Sequence, residues 1–213
     1  MKCAKESLLL YGVTDRTWLE GKTLASQVEE ALQGGVTCLQ LREKELDDET
    51  FLAEAFEIKT LCRKYNVPFF INDHVEIAIQ CNADGIHVGQ HDMDVSQVRR
   101  KIGKNMILGV SAQTVAQAID AQKNGADYLG VGAVFTTSTK LDADSVSHET
   151  LKAICAAVSI PVVAIGGIYK HNILQLGGTG VHGVALISAI FASSNIEKEC
   201  RELRKLSHKM VAK

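Results

Sequence analysis

Aromatic side chains make up only 5% of the 213 residues, and two prolines, Pro68 and Pro161, stand against 17 glycines. So few rings exclude a core of stacked aromatics. In a chain that is 46% hydrophobic, Ala, Val, Ile and Leu must supply it. So few prolines exclude proline-rich linkers. Charge carries little signal either: 23 Lys and Arg against 25 Asp and Glu leave −2, with no basic footprint for nucleic acid and no tail of one sign. No apolar run approaches the roughly 18 residues of a membrane span. The run from Leu8 to Tyr11, ended by Thr14-Asp15, is too short for a signal peptide. The six cysteines contain no CxxC pair; the nearest two, Cys62 and Cys81, are 19 residues apart. Most sit in apolar stretches, which predicts reduced, buried thiols in a cytoplasmic protein. A chain of this length buries about 70% of its unfolded surface, so one domain over residues 1–213 needs no disulfide or metal to hold it.

What is present is a repeating pattern. Eight short aliphatic runs begin at Leu8, Val36, Pro68, Gly85, Met106, Tyr128, Pro161 and Gly183, one per about 27 residues, the length of a βα unit. Between them lie helix-period stripes. Phe51, Ala55, Ile58, Cys62 and Tyr65 form one, and Val95, Val98 and Ile102 another, the latter with Asp94 as N-cap and Gln97 at N3. Leu151, Ile154, Cys155 and Val158 follow Ser147, and Ile196, Cys200, Leu203 and Met210 close the series. Four exits toward strands share a signal, Gly35-Val-Thr, Asn82-Ala-Asp, Gly125-Ala-Asp and Gly180-Val-His, where a left-handed C-cap needs Gly or Asn. Apolar runs alternating with helices imply a parallel sheet. Eight units at this length predict an α/β fold, a (β/α)8 TIM barrel, with a doubly wound open sheet as the alternative.

In such a barrel the active site lies where the strands end. Strand two ends in Gln40-Leu41-Arg42-Glu43-Lys44, strand three in Asn72-Asp73, strand four in Gly89-Gln90-His91-Asp92, and strand five in Ser111-Ala112-Gln113-Thr114. Strand six runs into Thr136-Thr137-Ser138-Thr139-Lys140, strand seven into Gly166-Gly167, and strand eight into Ser188-Ala189. Asp73 and Asp92 follow neighbouring strands, so their carboxylates can converge. One or two carboxylates with substrate phosphates are the usual way to hold Mg2+. Each acid also precedes a helical pattern and would serve as an N-cap; their pairing beside basic strand ends favours the metal reading. Arg42, Lys44 and Lys140 suit phosphate groups, Arg by a bidentate clamp and Lys as a point charge. The hydroxyls of Thr137, Ser138 and Thr139 beside Lys140 resemble a phosphate cradle. The glycine pair and the turn after strand eight match the phosphate site common in these barrels. One cation site and two phosphate sites on one rim suit two phosphorylated substrates.

Other motifs carry less. Gly178-Thr-Gly180-Val-His-Gly183 fits GxGxxG but precedes a strand instead of following one, the reverse of a dinucleotide site. His87 and His91 are four apart, yet His87 lies in a strand run and the HExxH glutamate is missing. Nucleophile signatures such as GxSxG and the Walker A pattern are absent. Trp18 reads as a packing residue.

At these strand ends the sequence resembles the thiamine-phosphate synthase (thiamine-phosphate pyrophosphorylase) family, over nearly its whole length. The motifs are YGVTD from Tyr11, QLREK from Gln40, FFIND from Phe69, GIHVGQHD from Gly85, GVSAQT from Gly109, GAVFTTSTK from Gly132, AIGGI from Ala164 and LISAI from Leu186, all in family order. The resemblance implies a (β/α)8 transferase that joins hydroxymethylpyrimidine diphosphate to a thiazole phosphate, releasing pyrophosphate. It further implies Mg2+ on Asp73 and Asp92. Gln40, Arg42, Lys44, Asn72, Ser111 and Lys140 would hold the pyrimidine diphosphate. Thr137, Ser138, Thr139, Gly167, Ile187 and Ser188 would hold the thiazole phosphate. Partners are then small-molecule substrates, without nucleic acid or membrane, and a homo-oligomer is left open. The chain departs from the family wording at Gln113, where His is common, at Thr136, where Pro is common, and at His91, where an acid is frequent. Gly177 to His182 also lacks the usual Ala-Gly-Ala-Asp-Gly. The competing readings are an isomerase like the related thiazole tautomerases, and a non-catalytic barrel that senses thiamine phosphates. An isomerase expels no diphosphate and has no use for Asp73, Asp92 and Lys140 together.

Overall fold

Four-residue aliphatic runs are too short to stand alone as strands, and they are stabilised here by pairing on both edges. The computed structural model describes residues 3–136 and 145–213. Among them, β1 (Leu10–Val13), β2 (Cys38–Leu41), β3 (Phe69–Asn72), β4 (Gly85–Val88), β5 (Ile107–Ala112), β6 (Tyr128–Val131), β7 (Val162–Ile165) and β8 (Gly183–Leu186) pair in parallel, each with the next. β8 returns to β1, with Tyr11 opposite Ala185, so the barrel is closed and the open-sheet alternative is excluded. The outer layer is α1 (Leu24–Gln33), α2 (Asp48–Lys64), α3 (Val75–Gln80), α4 (Val95–Ile102), α5 (Val115–Lys123), α6 (His148–Ala157), α7 (Ser188–Phe191) and α8 (Ile196–Val211). None is long and apolar enough to cross a membrane.

The expected stripes are the buried faces. Phe51, Ala55, Ile58 and Cys62 are buried on α2, while Tyr65 at its end is half-buried. On α8, Ile196, Cys200, Leu203 and Met210 are all buried. Asp94 caps α4 by accepting the Gln97 N–H, and Ser147 caps α6 through Thr150. Trp18 is half-buried against the core. All six cysteines are free thiols, five of them buried.

Two units differ from expectation. Leu8 belongs to a 3-10 turn (Lys5–Leu8), not to β1, and its side chain plugs the bottom of the lumen. Between β7 and β8 stands only a 3-10 turn, Ile173–Leu176, which α8 flanks; that stretch carries no long apolar stripe to make a helix.

The four exits all adopt positive φ, at Gly35 (95°), Asn82 (50°), Gly125 (99°) and Gly180 (93°). Each turn then does something its sequence did not announce. The side chain two residues on accepts an N–H at the start of the preceding strand, from its first residue or, in β5, its second. Thr37 Oγ1 takes Leu10 N–H at 2.9 Å, Asp84 Oδ2 takes Phe69 N–H at 2.9 Å, Asp127 Oδ2 takes Leu108 N–H at 2.9 Å, and His182 Nδ1 takes Val162 N–H at 3.3 Å. The barrel floor is thus held by four equivalent staples, one per pair of strands.

Side chains alternate between lumen and helix layer. Tyr11, Val13, Cys38, Phe70, Ile107, Tyr128, Val163 and Ala185 share the lumen. Rings fit because glycines face them. A Cβ at Gly109 would lie 2.1 Å from the Tyr128 ring, and one at Gly85 would lie 2.8 Å from Phe70. Gly109→Ala is therefore expected to destabilise the fold by about 1–3 kcal/mol, the usual cost of overpacking, read as a lower urea midpoint with unchanged m-value; a midpoint equal to wild type would refute the fit.

Candidate active site on the C-terminal rim

Strand exits place the polar residues around one cleft with two lobes. The first lobe, about 250 Å3, is lined by Gln40, Arg42, Lys44, Asn72, Asp73, Asp92 and Ser111. The second, about 170 Å3, is lined by Gly167, Ile187, Ser188 and again Ser111. Ser111, Gly130 and Ile187 belong to both lobes, which therefore open into each other. Thr137, Ser138, Thr139 and Lys140 lie outside the described residues.

Neither acid is a helix cap. The residue before α3 is His74, whose side chain caps nothing, and α4 is capped by Asp94. Asp73 instead turns out of β3 at φ 62°, where its N–H donates to the His87 carbonyl at 2.8 Å. Asn72 Nδ2 donates to Asp73 Oδ2 at 2.5 Å, and Lys44 Nζ lies 3.7 Å from the same oxygen. Asp92 Oδ2 accepts the Gly89 N–H at 2.7 Å. Burial, then the facing Asp92, push the Asp73 carboxyl up to about 6, while Lys44 and Asn72 pull it down. Two close carboxylates, with the charged form of Asp73 disfavoured, are a donor set completed by a cation. No group of three or more His, Cys, Asp or Glu is arranged for a metal among the described residues. The pair fits Mg2+, which keeps waters and shares substrate oxygens, and does not fit an all-protein zinc cage. Zinc on His87 and His91 is further disfavoured because both ring nitrogens of His87 are engaged, with Tyr128 and Ser111.

Arg42 is aimed by β1. Its N–H donates to Thr14 Oγ1 at 2.9 Å, and its guanidinium meets Asp15 at 3.1 Å. Glu43 turns the other way and, with Glu54, grips Arg16 at 2.7 and 2.5 Å. The basic arm thus alternates, with Arg42 and Lys44 in the cleft and Glu43 behind it.

In the second lobe Gly166 and Gly167 have φ of 96° and 64°, and a Cβ on Gly167 would strike the Thr136 carbonyl at 2.4 Å. Asn172 Nδ2 donates to the Gly167 carbonyl at 2.8 Å. Ser188 Oγ pairs with Tyr169 Oη at 2.8 Å. The N–H groups of Gly167, Ser188 and Ala189 have no partner among the described residues, which leaves donors for an anion. The GxGxxG segment sits at the opposite, N-terminal end of β8, far from dinucleotide geometry.

Three polar residues lining the first lobe escaped the strand-end inventory: Tyr11, His87 and Tyr128. They lie inside strands, not at exits. Their signal is a polar-tipped ring at inward parity, with a glycine facing it at His87 and Tyr128.

Fold and rim define the class, a (β/α)8-barrel enzyme with its cleft at the C-terminal strand ends. The family model for thiamine monophosphate synthase matches residues 10–190. Among curated relatives, the thiamine-phosphate synthase of Clostridium tetani is 51% identical, covering 91% of this chain and 93% of its own. That of Ruminiclostridium cellulolyticum is 50% identical, covering 94% and 95%. The solved structure of thiamine phosphate pyrophosphorylase from Pyrococcus furiosus superposes with a TM-score of 0.90 at 38% identity, covering 97% and 98%. The chain belongs to the thiamine monophosphate synthase family and is a transferase enzyme.

A carboxyl whose pKa is raised on folding binds its proton more tightly in the folded state, so stability falls as pH rises through the shifted range. In chelator, the wild type should lose about 1–3 kcal/mol relative to Asp73→Asn between pH 4 and pH 6 and level off above, measured by urea unfolding. A flat difference across that range would contradict the raised Asp73 carboxyl.

Proposed function

We propose that the protein is a thiamine-phosphate synthase, joining 4-amino-2-methyl-5-hydroxymethylpyrimidine diphosphate to a thiazole phosphate to give thiamine phosphate and pyrophosphate. The observation that carries the reading is the division of the rim. The residues the resemblance implies for the pyrimidine diphosphate, as far as they are described, line one lobe. Those implied for the thiazole phosphate line the other, and Ser111 and Ile187 stand where the lobes meet. Two substrates bound side by side, with the reacting atoms at the junction, is the arrangement a condensation needs.

In this reading the bond between the pyrimidinylmethyl carbon and the diphosphate oxygen breaks first. Its electron pair leaves with pyrophosphate, and the thiazole nitrogen lone pair forms the new C–N bond. Arg42, oriented by Thr14 and Asp15, and Lys44 meet the negative charge that grows on the leaving group, and Lys140 adds to them by the same resemblance. Asp73 and Asp92 would hold Mg2+, which supplies charge neutralisation for the diphosphate. Asn72 fixes one oxygen of Asp73. Gln40 and Ser111 orient the pyrimidine ring, and the N–H groups of Gly167 and Ser188, without a partner among the described residues, receive the thiazole phosphate. No step needs a nucleophile or a general base from the protein. The neutral buried Tyr11 and Tyr128 fit that, since burial pushes both phenols well above their ordinary value. The whole of residues 1–213 acts as one domain, in the cytoplasm.

The purified protein mixed with both substrates and Mg2+ should form thiamine phosphate and pyrophosphate, detected by chromatography and a coupled pyrophosphate assay. Chelator should abolish turnover and added Mg2+ restore it. Asp73→Ala and Asp92→Ala should each lower kcat/KM by at least ~100-fold, the order seen when one group stabilising developing charge is removed. Absence of product with wild type would sink the reading, and full turnover in both alanine variants would sink the metal assignment.

A further inference from the structure

Between two residues assigned to the pyrimidine lobe runs a buried chain of hydrogen bonds. Gln40 Nε2 donates to Tyr11 Oη at 2.8 Å. Tyr11 Oη lies 2.9 Å from Tyr128 Oη, Tyr128 Oη lies 2.9 Å from His87 Nδ1, and His87 Nε2 lies 2.9 Å from Ser111 Oγ. Gln40, Tyr11 and Tyr128 are 4%, 1% and 0% exposed, so water does not satisfy these groups and they must satisfy one another. The room is reserved in the backbone: beside the glycine facing Tyr128, Gly130 faces His87, where a Cβ would lie 3.0 Å from the ring.

Proton counting gives the chain a direction. Each hydroxyl has one proton, and a neutral imidazole has one N–H. Tyr11 already accepts from Gln40, so it donates to Tyr128. Tyr128, having accepted, donates to His87 Nδ1. His87 then carries its proton on Nε2 and donates to Ser111 Oγ. Ser111 Oγ, now an acceptor, keeps its own proton and has no second partner among the described residues. The opposite direction is also self-consistent, with the amide oxygen of Gln40 toward Tyr11. It would place the His87 proton on Nδ1 and consume the Ser111 proton on Nε2, leaving only lone pairs toward the cleft. The orientation of one amide therefore decides the chemistry that Ser111 shows a ligand.

We propose that Gln40, Tyr11, Tyr128 and His87 form a directional hydrogen-bond chain that holds His87 as its Nε2–H tautomer and presents the Ser111 hydroxyl to the cleft as a donor. Tyr11, Tyr128 and His87 are thus positioning residues. The lobe selects a ligand that offers an acceptor at Ser111 and a donor at Gln40 Oε1, the pattern on the edge of an aminopyrimidine whose ring nitrogen is unprotonated. This selection rests on the synthase reading; the chain itself does not.

The test has two independent arms. In the first, the ring nitrogens of His87 are observed by 15N NMR in ligand-free full-length protein with chelator, the signals assigned through His87→Gln. The wild type should show the Nε2–H tautomer alone at neutral pH. Tyr128→Phe keeps the ring but removes the donor to Nδ1 and should populate Nδ1–H. Gln40→Glu, read at pH 8, presents an accepting carboxylate to Tyr11 and should shift His87 to Nδ1–H. In the second arm, Tyr128→Phe should raise KM for the pyrimidine diphosphate about tenfold, one neutral hydrogen bond's worth, with KM for the thiazole phosphate unchanged within twofold. An imidazolium, an Nδ1–H tautomer or a mixture in the wild type overturns the chain, as does retention of the wild-type tautomer in both variants. Equal changes in both KM values overturn the selection by Ser111. Failure of the synthase reading shows instead as no turnover by wild type, with the NMR arm still decisive for the chain.

Discussion

Closing eight parallel strands into a ring forces every second side chain into a lumen whose width the strand number fixes. Everything above that lumen depends on how it is filled. Here it is filled by opposites. Tyr11, Phe70 and Tyr128 meet with ring centroids 5.8 to 6.0 Å apart, and glycines on the adjoining strands leave space for Phe70 and Tyr128. Three of the scarce aromatics fill this small volume. The aliphatic majority packs the much larger interface between strands and helices. Since two of the three rings end in hydroxyls, the floor of the cleft is polar although it is dry.

The rim inherits its order from that floor. Lumen parity aims Gln40, Asn72 and Ser111 inward, and the next residues out carry the charge. Arg42 is held by β1 through Thr14 and Asp15, and Asp73 by a left-handed turn that returns its N–H to β4. Arg42 and the Asp73 backbone are therefore fixed from a neighbouring strand, while Asp92 is fixed by the Gly89 N–H of its own loop. In the proposed reading the pair of acids offers one end of the cleft to a cation, and the N–H groups without a partner among the described residues offer the other to an anion.

Much of this was readable in the residues. The aliphatic runs marked the strands, and Gly or Asn before β2, β4, β6 and β8 marked left-handed exits, because few other residues adopt that conformation. Strand ends carried the polar residues that the structure collects in one cleft. The lumen chain was not readable. Tyr11 and Tyr128 are 117 positions apart, and parity says that a side chain points inward without saying which ring it meets. Asp73 and Asp92 looked equally like caps, since only the three-dimensional turn decides whether an acid before a helix faces its amides or the neighbouring acid. The missing helix between β7 and β8 escaped for a simpler reason: a repeat of eight suggests eight helices, and α8 already covers that side.

The four staples beneath the barrel look equivalent, but their acceptors are not. A hydroxyl oxygen keeps a lone pair at any pH, and a carboxyl keeps an accepting oxygen even when protonated. An imidazole nitrogen that takes up a proton accepts nothing. Burial, aided by Lys5, holds His182 below its ordinary value and so in the accepting form. Three quarters of the floor are thus indifferent to acid and one is not. In acid the staple at the start of β7, on the unit that also lacks its helix, is the one that loses its acceptor.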